Sequence, residues 1–236
     1  GLQAFGTEEQ KQKYLKPLAQ GKKDGELHIG AFLLSEPEAG SDATSQRTTA
    51  EDKGDYYLLN GTKNWITNGS SASTYLVIAQ THPEKGSHGI NAFIVEKSWP
   101  GVVVGAKENK LGIRGSDTHT ILFNDVKVPK ENLLPNVEGL KGPLGCLSTA
   151  RYGIAWGAIG AALDCYDTAL RYAKERVQFG RPLAGFQLQQ KKLAEMITEI
   201  TKGQLLVWRM GMLMNEGKVT PAQVSMAKRN SCEVAA

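Results

Sequence analysis

The chain contains no apolar run approaching the roughly 18 residues that a membrane-spanning helix needs, which excludes a helical membrane protein. No signal or transit segment is read at its start. Cysteine is scarce. Cys146, Cys165 and Cys232 are an odd number without metal-ligand spacing, so a disulfide framework and a cysteine-built metal centre are both excluded. Two of them lie in apolar helical stretches, and all three read as reduced core thiols of an intracellular protein. Nor is there a basic stripe with interleaved aromatics of the kind that grips nucleic acid. The basic residues are scattered, as Lys11, Lys13 and Lys16 are on one solvated helix.

What is present is an ordinary globular composition, 41% apolar and 22% charged over 236 residues, enough for one large domain or two modest ones. The net charge of +4 suits a ligand bearing phosphates as well as it suits nucleic acid. Thr7 with Gln10 three residues on forms a capping box, opening a helix that runs to about Ala19 and stops at Gly21. Short β-rich runs follow at Leu27 to Leu34, Tyr56 to Leu59, Thr74 to Ala79, Ile90 to Val95, Val102 to Val104 and His119 to Val128. Asn60-Gly61 is read as a type I′ hairpin turn that folds the strand of Trp65 back on that of Tyr57. Six strands without intervening helices point to an antiparallel barrel or sandwich and away from a Rossmann sheet.

Past Pro135 the apolar period changes from two to about 3.6. A helix over Gly142 to Arg176 carries the small strip Gly153, Gly157 and Ala161, which implies that another backbone or a ligand comes close. After Arg181-Pro182-Leu183 a second helix, Gly185 to Glu216, places Leu193, Met196, Ile200 and Val207 on one face that needs partners. A third starts at Thr220 with Pro221 in its first turn. The fold class is therefore α+β, an antiparallel β-domain over 25–135 followed by a helical bundle over 136–236, with residues 1–24 helical ahead of both.

One stretch organises the rest. Phe32, Leu33 and Leu34 end a buried strand, and the chain then breaks at Pro37 into the polar loop Ser35-Glu36-Pro37-Glu38-Ala39-Gly40-Ser41-Asp42. Hydroxyls and small residues there allow a polar ligand close approach. Trp65-Ile66-Thr67 offers a flat apolar face and a hydroxyl within three residues, as a planar heterocycle needs. On the residues alone, a surface loop beside a core tryptophan is the favoured reading.

That loop, together with Asn60-Gly61-Thr62-Lys63-Asn64-Trp65-Ile66-Thr67 and Arg176-Val177-Gln178-Phe179-Gly180, resembles the signatures of the FAD-dependent acyl-CoA dehydrogenases, in the family's order and at compatible separations. The likeness covers essentially the whole chain. Gly25 to about Leu134 is similar to short-chain acyl-CoA dehydrogenases, and Gly142 onward, through Gly-Pro-Leu-Gly-Cys and Ala-Arg-Tyr-Gly-Ile-Ala-Trp-Gly, to glutaryl-CoA dehydrogenase. The resemblance implies that residues 1–24 are the remnant of an N-terminal helical domain and that the bundle is incomplete.

It implies further that a carboxylate removes the proton α to a thioester while the β-hydrogen leaves as hydride to flavin N5. Phe32, Leu34, Ser35, Gly40, Ser41, Trp65, Ile66 and Thr67 would bind FAD, with Thr67 near N5. Ser41, Leu144, Ser148 and Arg151 would contact the acyl-CoA. Arg176, Phe179 and Gln187 would reach the FAD of a neighbouring subunit. The bland alternatives stay open at this point: Trp65 as a core aromatic, Thr67 as an ordinary strand residue, Arg151 in an internal salt bridge, and Arg176 as a cation at a helix C-terminus.

No catalytic carboxylate matches within the chain. The family's usual base is expected beyond Ala236, and the alternative position is Ala150. The expected partners are a short-chain acyl-CoA, an electron-transferring flavoprotein as electron acceptor and further copies of the chain in a homotetramer, with neither nucleic acid nor membrane. The expected compartment is the mitochondrial matrix or the bacterial cytoplasm. Glutaryl-CoA is the alternative substrate; a non-catalytic flavin-binding or assembly module and a nucleic-acid-associated relative are the alternative functions.

Overall fold

The computed structural model describes residues 1–137 and 139–236, and these fall into two compact units, Gly1–Leu144 and Gly145–Ala236. In the first unit the short helix α1 (Leu2–Phe5) precedes α2 (Glu8–Gln10), which winds through one π turn into α3 (Lys16–Gln20). The Thr7/Gln10 capping box forms, and Gly21 ends α3 in the left-handed region. Gln10 also uses its side-chain amide twice, donating at 2.7 Å to both the Glu131 and Leu133 carbonyls. These helices thus belong with the sheet.

Eleven strands are described: β1 (Lys22–Lys23), β2 (Glu26–Leu27), β3 (Gly30–Leu33), β4 (Thr49–Asp52), β5 (Tyr56–Thr67), β6 (Thr74–Gln80), β7 (Ile90–Glu96), β8 (Val102–Lys107), β9 (Thr118–Pro129), β10 (Val177–Gln178) and β11 (Arg181–Pro182). Seven make the main sheet in the order β3-β6-β4-β5-β9-β8, with β7 added on β6. Most pairs are antiparallel, but β3 and β4 each run parallel to β6. Alternate residues of these strands, among them Leu33, Leu59, Ile66, Tyr75, Val77, Phe93, Ile121 and Phe123, close one buried core.

Asn60-Gly61 is not a hairpin turn. Both residues lie inside the 12-residue strand β5, which pairs with β9 along its whole length. The pairing slips there because Asn124 and Asp125 of β9 oppose Asn60 alone, a bulge locked by Asn60 Nδ2 donating to Asp125 Oδ1 at 2.9 Å and Asp125 N to Asn60 Oδ1 at 2.8 Å. Gly61 adopts φ +145°, and a Cβ at this position would clash with Thr48. The two-residue turn with positive φ at both positions occurs instead at Phe179-Gly180, between β10 and β11.

In the second unit, α4 (Lys141–Glu175), which starts in the first unit, continues as a long helix beside α5 (Gln187–Asn215) and α6 (Pro221–Ala235). Thr220 and Gln223 form a second capping box. The expectation that the face of Val207 lacks partners is corrected here. The three helices bury Ile200 and Val207 among themselves, with Ala155, Ile159, Met210, Val224 and Ala227, so those positions do not lack partners. The close approaches fall at Gly203 and Gly211 of α5, where a Cβ would meet Ile159 and Tyr152, whereas a Cβ at Gly153 or Gly157 meets nothing within 4 Å. The cysteines are not core residues either: Cys165 is exposed, and Cys146 and Cys232 are half-buried.

Candidate functional site

The site grows from a second bulge. Between the Lys63–Ile121 and Ile66–His119 pairs of β5 and β9, two residues, Asn64 and Trp65, oppose the single Thr120. Thr120 Oγ1 donates to Asn64 Oδ1, fixing the extra residue in place. Trp65 takes φ +60°, a conformation that is costly for a bulky side chain and persists only where its surroundings impose it. Its ring is 60% exposed, so Trp65 is not a core aromatic. The bulge turns a large flat side chain outward while returning Ile66 to the core, 2% exposed. Thr67 then faces outward again.

The loop expected to meet this tryptophan does meet it. Asn64 N donates to the Ser35 carbonyl at 2.8 Å, joining the end of β3 to the bulge. From Glu36 the chain doubles back in a tight turn, with Glu36 N donating to Ala39 O at 3.0 Å and Ala39 N to Glu36 O at 3.2 Å. Gly40 and Ser41 are left exposed beyond it, and Asp42 accepts from the hydroxyls of Thr44 and Ser45 at 2.5 Å each. The Ser45 and Thr44 hydroxyls hold the Asp42 carboxyl below its ordinary value.

Beneath the loop lies a pair that the sequence reading did not single out. Lys63 is wholly buried and Glu36 5% exposed, with Nζ to Oε1 at 2.7 Å. Lys63 also donates to the Leu34 carbonyl at 3.0 Å and to Gln46 Oε1 at 3.3 Å. Burial pushes Lys63 down to about 8 despite the neighbouring carboxylate. Burial acts upward on Glu36, but the Lys63 charge and the donors from Lys63, Thr48 and Arg47 outweigh it and hold the carboxyl below its ordinary value. A lysine at an inward position of a strand was the available signal, since a buried ammonium requires a carboxylate nearby.

Of the expected flavin residues, the first unit therefore gathers Phe32, Leu34, Ser35, Gly40, Ser41, Trp65, Ile66 and Thr67 onto β3, β5 and the loop between β3 and β4. Leu34 and Ile66 are buried, at 8% and 2% exposure. Phe32 is half-buried. The hydroxyls of Ser35, Ser41 and Thr67 have no hydrogen-bond partner among the described residues. A strained, exposed aromatic face flanked by unengaged hydroxyls fits a planar, polar-edged cofactor.

The remaining candidates lie on α4 and its connection to α5. Leu144, Ser148, Ala150 and Arg151 follow one another along α4, with Ala150 exposed and Arg151 half-buried. Among the described residues no carboxylate pairs with Arg151, which removes the internal salt bridge considered above. Arg176 directly follows α4, and its carbonyl accepts from Leu183 N at 2.9 Å. Phe179 is 93% exposed at the tip of the β10–β11 turn, edge-on to Phe186 at 6.2 Å, and Arg181 stacks over Phe186 at 4.1 Å. Gln187 opens α5 and is exposed. Among the described residues no group of His, Cys, Asp and Glu could hold a metal ion, and no helix is long and apolar enough to cross a membrane.

Comparison with known proteins bears on this geometry. The family model for the acyl-CoA dehydrogenase middle domain matches residues 31–126 and that for the acyl-CoA dehydrogenase C-terminal domain residues 138–236. An acyl-CoA dehydrogenase of Bacillus subtilis is 47% identical over 98% of this chain and 60% of its own length. A subunit of a caffeyl-CoA reductase–Etf complex from Acetobacterium woodii is 44% identical over 97% of this chain and 59% of its own length. The solved butyryl-CoA dehydrogenase of Megasphaera elsdenii superimposes with TM-score 0.92 at 44% identity, covering 99% of this chain and 60% of that one. A glutaryl-CoA dehydrogenase from Mycobacterium smegmatis gives 0.92 at 43%, covering 99% and 58%. The chain spans about 60% of the length of the curated relatives it matches. With both halves matched by models of one family and the whole described fold shared with its solved members, the chain belongs to the acyl-CoA dehydrogenase family.

Proposed function

We propose that the chain is the flavin- and thioester-binding part of an FAD-dependent acyl-CoA dehydrogenase acting on a short-chain acyl-CoA. The observation that carries the reading is Trp65, held at φ +60° by a bulge and presented outward beside Ser35 and Thr67. FAD, when bound, accepts the electrons of the oxidation.

The chain's own residues supply the rest. Trp65 covers one face of the ring system and keeps water from it. Ser35, Gly40 and Thr67 offer donors and close backbone approach to its polar edge, with Phe32, Leu34 and Ile66 holding the backbone beneath. Ser41, Leu144, Ser148 and Arg151 bind the thioester, and the unpaired guanidinium of Arg151 answers an anionic group. Arg176, Phe179 and Gln187, exposed on the α4–α5 connection, serve the FAD of a second copy in a homotetramer, with the arginine fork on pyrophosphate. Ala150 carries no carboxylate, so the general base comes from outside these positions.

The preference for a short chain rests on the likeness to butyryl-CoA dehydrogenase, and electron-transferring flavoprotein as acceptor on the relative named as part of an Etf complex. Oxidative decarboxylation of glutaryl-CoA is the second reading, favoured by the 43% identity to a glutaryl-CoA dehydrogenase. The mitochondrial matrix or the bacterial cytoplasm is the setting proposed for either. The test is to purify the full-length protein, record flavin absorbance, and assay butyryl-CoA and glutaryl-CoA with carbon dioxide release followed. Flavin with butyryl-CoA oxidation and no carbon dioxide supports the first reading. Carbon dioxide from glutaryl-CoA supports the second, and absence of flavin with no uptake of added FAD overturns both.

A further inference from the structure

We infer that the buried Glu36–Lys63 pair is a positioning clamp that holds the two flavin-facing stretches, Leu34-Ser35 and Asn64-Trp65, in one register. The inference rests on the FAD reading above and goes beyond it by assigning a role to residues that touch neither flavin nor substrate.

The bonding is consecutive on both sides. Lys63 Nζ donates to the Leu34 carbonyl at 3.0 Å, and the next residue, Asn64, donates its backbone N–H to the next carbonyl, Ser35, at 2.8 Å. Two neighbouring residues of β5 thus hold two neighbouring carbonyls at the end of β3, and Trp65 is the residue that follows. Glu36 completes the clamp from the loop side. It accepts Lys63 at 2.7 Å, and also the backbone N–H groups of Arg47 at 2.5 Å and Thr48 at 3.1 Å, so the far end of the loop is pinned to the same carboxylate. With Gln46 Oε1 at 3.3 Å, each of the three ammonium protons has an acceptor.

Stability alone does not explain such a pair. Replacing a buried ion pair by apolar side chains of similar volume is often neutral or stabilising, because the desolvation penalty offsets the attraction. What apolar side chains cannot do is fix a carbonyl. At this site the fixed carbonyl sits one residue from Ser35 and two residues before the tryptophan are anchored, which is where a displacement of a fraction of an ångström changes how a planar ligand is seated.

The experiment uses the full-length protein. In Glu36→Gln/Lys63→Met the charges vanish and the volumes are kept; the hold on Leu34 is lost, and because the Arg47 N–H reaches one carboxylate oxygen and the Thr48 N–H the other, the single glutamine oxygen keeps only one of those two bonds. The expected result is a melting temperature near that of the wild type, with FAD bound about tenfold more weakly and its visible absorption bands moved toward those of free flavin. FAD affinity within about twofold of wild type and unchanged bands, in a folded variant, overturn the clamp. If the double variant does not fold, Lys63→Arg decides. Its charge keeps Glu36 paired, but its larger planar fork holds its donors in one plane and does not reproduce the compact ammonium that reaches Glu36, the Leu34 carbonyl and Gln46 at once. Weakened FAD binding supports the clamp and unchanged binding overturns it. A wild-type protein that takes up no FAD is seen before any variant is made; it overturns the flavin reading itself and the clamp with it.

Discussion

Thr48 lies so close to Gly61 that a Cβ on the glycine would fall 2.7 Å from the Thr48 Cα and 2.5 Å from its Oγ1. Thr48 is wholly buried and its backbone N–H is committed to Glu36, so it has nowhere to retreat. Gly61 also sits at φ +145°. Gly61→Ala therefore combines a backbone clash with a strained dihedral, and we expect a loss of about 3 kcal/mol of folding stability. Urea unfolding followed by circular dichroism measures it; a midpoint equal to that of the wild type would contradict this account of the β4–β5 crossing.

Trp65 carries the opposite trade. Its φ of +60° is unfavourable for tryptophan and free for glycine, and the exposed ring contributes little burial. Trp65→Gly is expected to leave the ligand-free fold as stable as the wild type or up to about 1 kcal/mol more stable, while FAD binding weakens at least tenfold. Paired measurements of apoprotein melting and FAD titration check both halves. A destabilised apoprotein would mean that the tryptophan is held there for packing.

Glu36 and Lys63 give the fold a pH signature with two windows. The Glu36 carboxyl is held below its ordinary 4.5, so its contribution is fully present above that value and is lost as pH falls through the lower folded value. Lys63 is pushed from its ordinary 10.5 down to about 8, so between those values the unfolded chain holds a proton that the folded chain has released. Its share of stability accordingly rises with pH from about 8 upward. The acid loss and the alkaline rise should both flatten in Glu36→Gln/Lys63→Met when unfolding free energies of the two proteins are compared across pH. Parallel curves would show that the pair titrates as it does in the unfolded chain.

Much of this was readable from residues because local rules agreed with the fold. The caps at Thr7 and Thr220, the strand cores and the change of period after Pro135 all rest on chemistry within a few residues. Asn60-Gly61 misled because its turn chemistry is real but was used differently: the asparagine bonds across to Asp125 and the glycine admits Thr48, neither of which is near in sequence. The short strand β4 escaped notice since its Thr-Ala-Glu-Asp run buries only Ala50. At the site, the motif named Ser35, Trp65 and Thr67, but not the bulge that turns Trp65 outward. That bulge cancels the slip at Asn60, and a register defined by two compensating irregularities has no trace in either strand alone. Lys63 was legible only as an inward lysine without a visible partner, because Glu36 lies 27 residues away.

Tyr152 and Gly211 offer a test of the second unit by a change of sign. A Cβ on Gly211 would fall 2.3 Å from the Tyr152 hydroxyl but 3.4 Å from its Cζ, so the clash lies almost entirely with the oxygen. That hydroxyl accepts from Trp156 Nε1 at 2.8 Å, which resists its moving aside. In the wild-type background Gly211→Ala should destabilise by about 1 to 2 kcal/mol, since overpacking outweighs the gain in helix propensity. In a Tyr152→Phe background the oxygen is gone, and the same Gly211→Ala change should become stabilising by up to about 1 kcal/mol, the usual advantage of alanine over glycine inside a helix. Four chemical denaturation curves complete the cycle, and the coupling between the two sites should exceed about 1 kcal/mol. Additive effects within error would mean that α4 and α5 approach each other less closely at this point than the contact between Tyr152 and Gly211 requires.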